Sequence, residues 1–275
     1  MNQVPIFPVM RSSLPDTLAL EGHAPMALRL HGDKRASGGR VVLHLHGGAF
    51  TGGDLESGEC LAQLLADSGA LVLSIAYPLA PEHPFPQAVE AGYAALEWLH
   101  QQRARIAGAR AQVFIAGEEA GGNLAAGIAL VARDRAGPPL AGLILVTPML
   151  DPCTASASQR EALGSEVQCR FSTGWSQYLR NPRDAEHPYA VPAYAQRLAG
   201  LPPTLVLAGE DDPMRDEAMA FARRLQQADV AVRTALIPAT GWPESLETTA
   251  QACPCAAVVQ GEFARFFAAP VPQPS

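Results

Sequence analysis

The chain has 275 residues, 48% of them hydrophobic and 17% charged; that is material for one large domain and excludes general disorder. Its formal net charge of −7, with no basic run anywhere, excludes the phosphate-neutralising footprint of a nucleic-acid binder. No apolar stretch approaches the ~20 residues of a membrane span, and the first residues lack the charged-then-apolar order of a signal peptide, so a cytoplasmic protein with reduced thiols is expected.

From Arg40 onward, short β-rich runs alternate with amphipathic stretches. Arg40–His46 (RVVLHLH) predicts a strand, and the spacing of Leu61, Leu64 and Leu65 predicts a helix over Ser57–Ser68. Ala70–Ala76 reads as a buried strand, and Pro86–Gln101 as a helix carrying Val89, Tyr93, Leu96 and Leu99. Next come a strand at Gln112–Ala116, a helix opened by glycines at Ala120–Arg135, and a strand at Ala141–Thr147. The pattern lapses from about Pro148 to Gly200, with a weak helical stretch near Thr173–Leu179. It resumes with a strand at Thr204–Ala208, a helix at Met214–Ala228, a strand at Val230–Ile237 and a helix at Ala256–Ala268. Strands this apolar, alternating with helices, predict a parallel sheet covered on both faces. The expectation is a single α/β domain over residues 1–275. The lapse, about 148–200, reads as an insertion over the C-terminal edge of the sheet, where such sheets bind ligands.

Three loops follow strands and should meet at that edge. In His46-Gly47-Gly48-Ala49-Phe50, glycines let backbone N–H groups approach a ligand oxygen. In Gly117-Glu118-Glu119-Ala120-Gly121-Gly122-Asn123, small residues flank one central side chain, the pattern of a nucleophile elbow. The third loop, Gly209–Glu217, is acidic. HGGAF at His46–Phe50, YPLAPEHPFP at Tyr77–Pro86, GEEAGGN at Gly117–Asn123 and DPMRDE at Asp212–Glu217 resemble, in order and spacing, motifs of the hormone-sensitive-lipase branch of the α/β-hydrolases, a group of carboxylesterases. The resemblance covers about residues 40–240. It implies the α/β-hydrolase fold, a mostly parallel eight-stranded sheet flanked by helices, with a cap and a Ser–Asp–His triad for acyl-ester hydrolysis. The N-terminal region is short for the family, which implies a reduced cap.

The chemistry departs from the family. Its elbow reads Gly-Asp-Ser-Ala-Gly, whereas here Glu119 stands at the nucleophile position. Asp212 matches the triad acid. The family's histidine lies in a loop Pro-Gly-x-x-His; the corresponding stretch is Pro238-Ala239-Thr240-Gly241-Trp242, so ungapped counting puts Trp242 at the histidine position and a shifted alignment puts Thr240 there. The histidines are His23, His31, His44, His46, His83, His100 and His187. All precede Asp212, against the fold's order of nucleophile, acid, histidine. The triad is degenerate, and its members act as a unit. The resemblance leaves oxyanion donors at Gly47, Gly48 and Ala120 and a cleft.

Glu119 admits four readings: conversion to a non-catalytic role, a carboxylate nucleophile, a general base whose proton affinity a neighbouring Asp212 would raise, or a metal ligand with Asp212 and His46. The first is preferred, because a carboxylate nucleophile still needs a base to release its ester. His44 and His46 share a strand face and read as packing rather than ligands. The His83 loop reads as shaping, since its prolines direct the chain into the next helix. Arg215, Asp216 and Glu217 read as a charged helix start suited to the macrodipole. Trp242 would fill the pocket or stack on a ligand. The cysteines, Cys60, Cys153, Cys169, Cys253 and Cys255, are odd in number and form no CxxC pair, so no structural zinc is expected; Cys253-Pro254-Cys255 reads as neither ligand nor redox pair. The expected protein is a carboxylesterase-like homologue without serine-esterase activity, taking a small-molecule ligand. The alternative is a hydrolase or lyase acting on a small ester-like or acyl substrate through Glu119. No cofactor, metal, nucleic acid or membrane is expected, and a homodimer is left open.

Overall fold

In the computed structural model, residues 16–161, 165–238 and 255–269 are described, with side chains throughout except at 165–169. Eight strands form one sheet in the order β1-β2-β4-β3-β5-β6-β7-β8. β1 (Thr17–Leu18) pairs antiparallel with β2 (Met26–His31), and β2 antiparallel with β4 (Leu71–Ile75). The rest is parallel: β4 beside β3 (Arg40–Leu45), then β5 (Gln112–Glu118), β6 (Gly142–Val146), β7 (Thr204–Gly209) and β8 (Val232–Ile237). This is the α/β-hydrolase architecture that the resemblance implied.

Successive residues of each strand feed opposite layers. Leu43, Leu45, Ile115 and Leu145 face α2 (Gln87–Ala107) and α3 (Glu119–Asp134), together with Phe221 and Leu225 of α6 (Arg215–Gln227). Val42, Val72, Phe114 and Ile144 face the other way, against Leu61, Leu64 and Leu65 of α1 (Glu59–Asp67) and Val259 and Phe263 of α7 (Ala256–Ala268). Strands β3 to β7 are covered on both sides, which is why they read as continuous apolar runs. The same period of two assigns the polar exceptions. His44 pairs in register with Ser74 and Ala116, so Ser74, His44 and Glu118 share the α1 side.

Several elements differ from expectation. β1 and β2 precede Arg40 and carry no long apolar run; β2 is half exposed, with a broken alternation. α2 extends past Gln101 to Ala107, because Ile106 and Ala107 bury beyond the arginines that interrupt the pattern. Within the stretch between β6 and β7 lie α4 (Ala157–Glu161), α5 (Ser165–Tyr178) and two short 3₁₀ turns. α5 is longer than its weak signal suggested. Phe171, Trp175 and Tyr178 form one buried stripe at helical spacing, diluted in sequence by polar neighbours.

Cys60 and Cys153 are free, but Cys255 is disulfide-bonded, a correction to the expectation of reduced thiols throughout. Cys253 lies outside the described residues. Among the described residues no helix is long and apolar enough to cross a membrane.

α3 meets the end of β3 at Gly121. A Cβ there would lie 2.1 Å from the Leu45 carbonyl oxygen and 2.4 Å from that of His46, and neither backbone group can retreat. Gly261, inside α7, has only the Arg265 side chain nearby, at 3.7 Å or more. Gly121→Ala should therefore cost about 3 kcal/mol or more, whereas Gly261→Ala should stabilise by about 1 kcal/mol through helix propensity. Urea unfolding midpoints of the two variants, at unchanged slope, check both signs.

Candidate functional site

The loops after β3, β5 and β7 converge at the C-terminal edge of the sheet. β5 and β7 both pair with β6, so their ends lie about 10 Å apart, two strand spacings. β5 ends at Glu118 and α3 begins at Glu119 without an intervening loop. Glu119 makes the turn with φ +50°, a left-handed conformation costing roughly 1–2 kcal/mol for a residue with a Cβ. That backbone projects the side chain from the first turn of α3, where amides lack intrahelical partners.

The facing loop is also left-handed, with φ +49° at Ala49 and +64° at Phe50. It turns its amides toward Glu119. The Ala49 N–H donates to Glu119 Oε1 at 2.7 Å. Arg170 of α5 donates from Nη2 to Glu119 Oε2 at 3.0 Å. A Cβ at Gly47 would stand 3.1 Å from Glu119 Oε2 and 3.2 Å from its Cβ, a tight fit. The Gly47 N–H points elsewhere, to Glu118 Oε1 at 3.1 Å. In this loop the Ala49 amide donates to Glu119, whereas the resemblance names Gly47, Gly48 and Ala120 as oxyanion donors. Ala120 is buried in the first turn of α3.

Burial raises the proton affinity of Glu119; Arg170 and the Ala49 and Gly48 amides oppose the shift, and the neighbouring Glu118 adds to it. The like charge that matters is Glu118, not Asp212 as the sequence suggested. Glu118 is itself held: its Oε2 lies 2.7 Å from His44 Nε2, and His44 Nδ1 lies 2.9 Å from Ser74 Oγ. His44 is thus a link in a buried chain across β4, β3 and β5. His46 stacks on Tyr77 at 4.4 Å and its Nδ1 lies 2.7 Å from the Gly47 carbonyl oxygen. Burial lowers its pKa, so the ring is neutral and Nδ1–H donates. Among the described residues no three His, Cys, Asp or Glu side chains could hold a metal ion.

Asp212 follows β7 and is 1% exposed. Its Oδ1 accepts the Met214 N–H at 2.8 Å and its Oδ2 the Gly209 N–H at 3.4 Å. Trp242 and Thr240 lie outside the described residues. Asp216, at the start of α6, accepts the Ser158 N–H at 2.8 Å and so ties α4 to the acidic loop. Glu217, read from sequence as part of a charged helix start, is buried instead. Its Oε1 accepts the Leu150 N–H at 2.8 Å, and Oε2 has no partner among the described residues.

α5 lies over the glycine loop. Phe50 stacks on Tyr178 at 4.1 Å and meets Trp175 at 4.8 Å. The His83 segment joins the same assembly, with Phe85 N–H donating to the Tyr178 carbonyl at 3.0 Å. A separate cavity of about 970 Å³ opens at the opposite edge, beside His100, Arg103 and Arg133. Its arginines are committed to main-chain carbonyls, Arg103 to His100 and Arg133 to Arg197 and Ala199.

Sequence reasoning missed Arg170, Ala49 and the roles of Glu118 and Glu217. The doubled glutamate at 118–119 was the available signal for one of them. Arg170 had none, being 51 residues from its partner in a stretch without pattern.

The model of the α/β-hydrolase fold family matches residues 42–241. A carboxylic ester hydrolase, LipN, of Mycobacterium tuberculosis is 37% identical over 72% of this chain and 56% of its own length. The esterase LipI of the same organism is 34% identical over 70% of this chain and 61% of its own. The chain therefore spans less than two thirds of the length of these curated relatives. Among solved structures, an esterase from Pyrobaculum calidifontis superposes with a TM-score of 0.81 at 30% identity, covering 92% of this chain and 84% of that one.

Burial raises the Glu217 carboxyl well above its ordinary value of 4.5, against the amides of Leu150 and Asp151. The folded protein then binds this proton more tightly than the unfolded chain. Its contribution to stability is full below pH 4.5 and is lost as pH rises through the raised folded value. Glu217→Gln retains the Oε1 acceptor and cannot ionise. Relative to the parent, the variant should gain in Tm as pH rises from 5 to 8. Scanning calorimetry of both proteins across that range checks this, and a constant difference would contradict it.

Proposed function

Because this chain belongs to the α/β-hydrolase fold family, we propose that it is an esterase-like hydrolase homologue whose site runs no serine-esterase chemistry and serves as a small-molecule binding or regulatory module. One observation carries the reading. At the strained turn stands a carboxylate, and its oxygens are engaged by the Ala49 amide and Arg170. A hydroxyl nucleophile needs a free lone pair and a base at that point. Glu119 offers no hydroxyl, and every histidine precedes Asp212 in the chain.

A second reading draws on the raised proton affinity of Glu119, which suits a general base for hydrolysis or elimination of a small ester-like or acyl substrate. The same geometry weighs against it. A base must present an oxygen to substrate, and here both oxygens already accept hydrogen bonds from the protein. The esterase relatives make short acyl esters the natural probes for either reading.

Purified protein should not be labelled by a fluorophosphonate probe and should not turn over p-nitrophenyl acetate or butyrate. Steady turnover abolished by Glu119→Gln would establish the second reading instead. A ligand that raises Tm without turnover would support the first.

Restoring chemistry should require two changes. Glu119→Ser supplies a hydroxyl without a base, and Trp242→His a base with nothing to activate. Together, with Asp212 and the Gly48 and Ala49 amides, they should hydrolyse p-nitrophenyl esters at least ~10-fold faster than either single variant. Silence in that double variant but activity in Glu119→Ser with Thr240→His would place the histidine position at 240.

A further inference from the structure

The two donors on Glu119 come from different parts of the fold: an amide from the loop after β3 and a guanidinium from α5, one on each oxygen. An amide and a guanidinium converging on a carboxylate form charge-assisted hydrogen bonds. We propose that the Ala49 amide and Arg170 form a carboxylate-binding site, that Glu119 fills it from within the chain, and that this occupancy pins α5 over the turn and keeps external oxyanions from the Ala49 amide.

Packing supports the exclusion. A Cβ at Gly47 would press on Glu119 Oε2 at 3.1 Å and on its Cβ at 3.2 Å, so the Glu119 side chain fills the space against the glycine loop. An ester oxygen developing negative charge would compete with Glu119 for the Ala49 amide. The pinning follows from α5 itself. Its next buried positions, Phe171, Trp175 and Tyr178, make apolar contacts that fix no unique register by themselves. Arg170 supplies a directional bond one residue ahead of that stripe, and its guanidinium also lies 5.6 Å from the centre of the Phe171 ring. The ion pair thus acts on the N-terminal side of α5, while the Phe85–Tyr178 main-chain bond and the close approach of Gly174 to the Ala49 carbonyl hold its later part.

The chemical class of ligand follows from the occupant. Glu119→Ala deletes a CH₂–COO⁻ unit, which is the skeleton of acetate. The emptied site should accept acetate or another short aliphatic carboxylate and reject the neutral isostere acetamide, whose NH₂ would face Arg170 or the Ala49 amide. Hydrogen exchange reads the occupancy directly and separately from turnover: detected turnover would overturn the function proposed above, while unchanged exchange in the Glu119 variants would overturn the occupancy.

Hydrogen exchange of α5, read by mass spectrometry, tests the inference. In Glu119→Ala the amides of α5 should exchange at least ~10-fold faster, with β3 and β5 unchanged. Excess sodium acetate should restore most of the protection, while sodium chloride at equal ionic strength and acetamide should not. Arg170→Met should expose α5 similarly, and acetate should have no effect on the Glu119→Ala, Arg170→Met double variant. If Glu119→Ala fails to fold, Glu119→Gln serves: it can still accept from one amide but cannot pair with Arg170, so a smaller increase in exchange is expected. Unchanged α5 exchange in the Glu119 variants, or rescue by chloride or acetamide equal to that by acetate, would overturn the proposal.

Discussion

The left-handed backbone at Glu119 is the constraint on which the site depends. It lets β5 pass into α3 with no intervening loop, so the strand's last side chain and the helix's first leave on different sides. Glu118 goes to the α1 face and fixes the Gly47 amide and His44. Glu119 goes to the cleft and takes the Ala49 amide and Arg170. Two adjacent glutamates thereby hold the same glycine loop from two sides. An extended residue at 119 would send its side chain into the sheet layer and leave that loop without the Glu119 anchor.

Four carboxylates lie along this edge, and their surroundings differ in kind. Glu118 meets an imidazole and an amide. Glu119 meets an amide and a guanidinium, yet burial raises its proton affinity. Asp212 accepts two amides. Glu217 has the Leu150 amide on one oxygen and, among the described residues, no partner on the other, and burial raises its proton affinity well above the ordinary value. Burial penalises the charged form, and only donors aimed at the oxygens offset that penalty. Donor geometry, rather than residue type, separates these acids. The same reasoning separates fold from activity: the scaffold is that of the esterase relatives, while what the scaffold does is decided by a handful of atoms at the turn.

Much of this molecule was legible before any coordinates. Strands β3 to β7 could be read because both faces of each internal strand bury, which leaves unbroken apolar runs in the chain. Glu119 could be singled out because small residues flank it at a strand-to-helix junction, and Asp212 because DPMRDE resembles the family motif that carries the triad acid. β2 escaped notice because an antiparallel strand near the sheet's margin buries only part of its surface. α5 was underestimated because three buried aromatics were spaced among polar residues, and Glu217 because burial is not written in a helix's first turn.

What the sequence determined by itself is local: which segments are strands or helices, which faces they bury, and which residue stands at the sharp turn. Those properties depend on neighbours within a few positions. What only the tertiary structure decided is convergence. The order β4-β3-β5 brings Ser74, His44 and Glu118 side by side, though 30 and 74 residues separate the members of that chain. Placement of α5 over the glycine loop brings Arg170 to Glu119. No periodicity records such meetings, because the position of a donor relative to a distant acceptor is set by how the layers pack and not by the spacing of either residue in its own element.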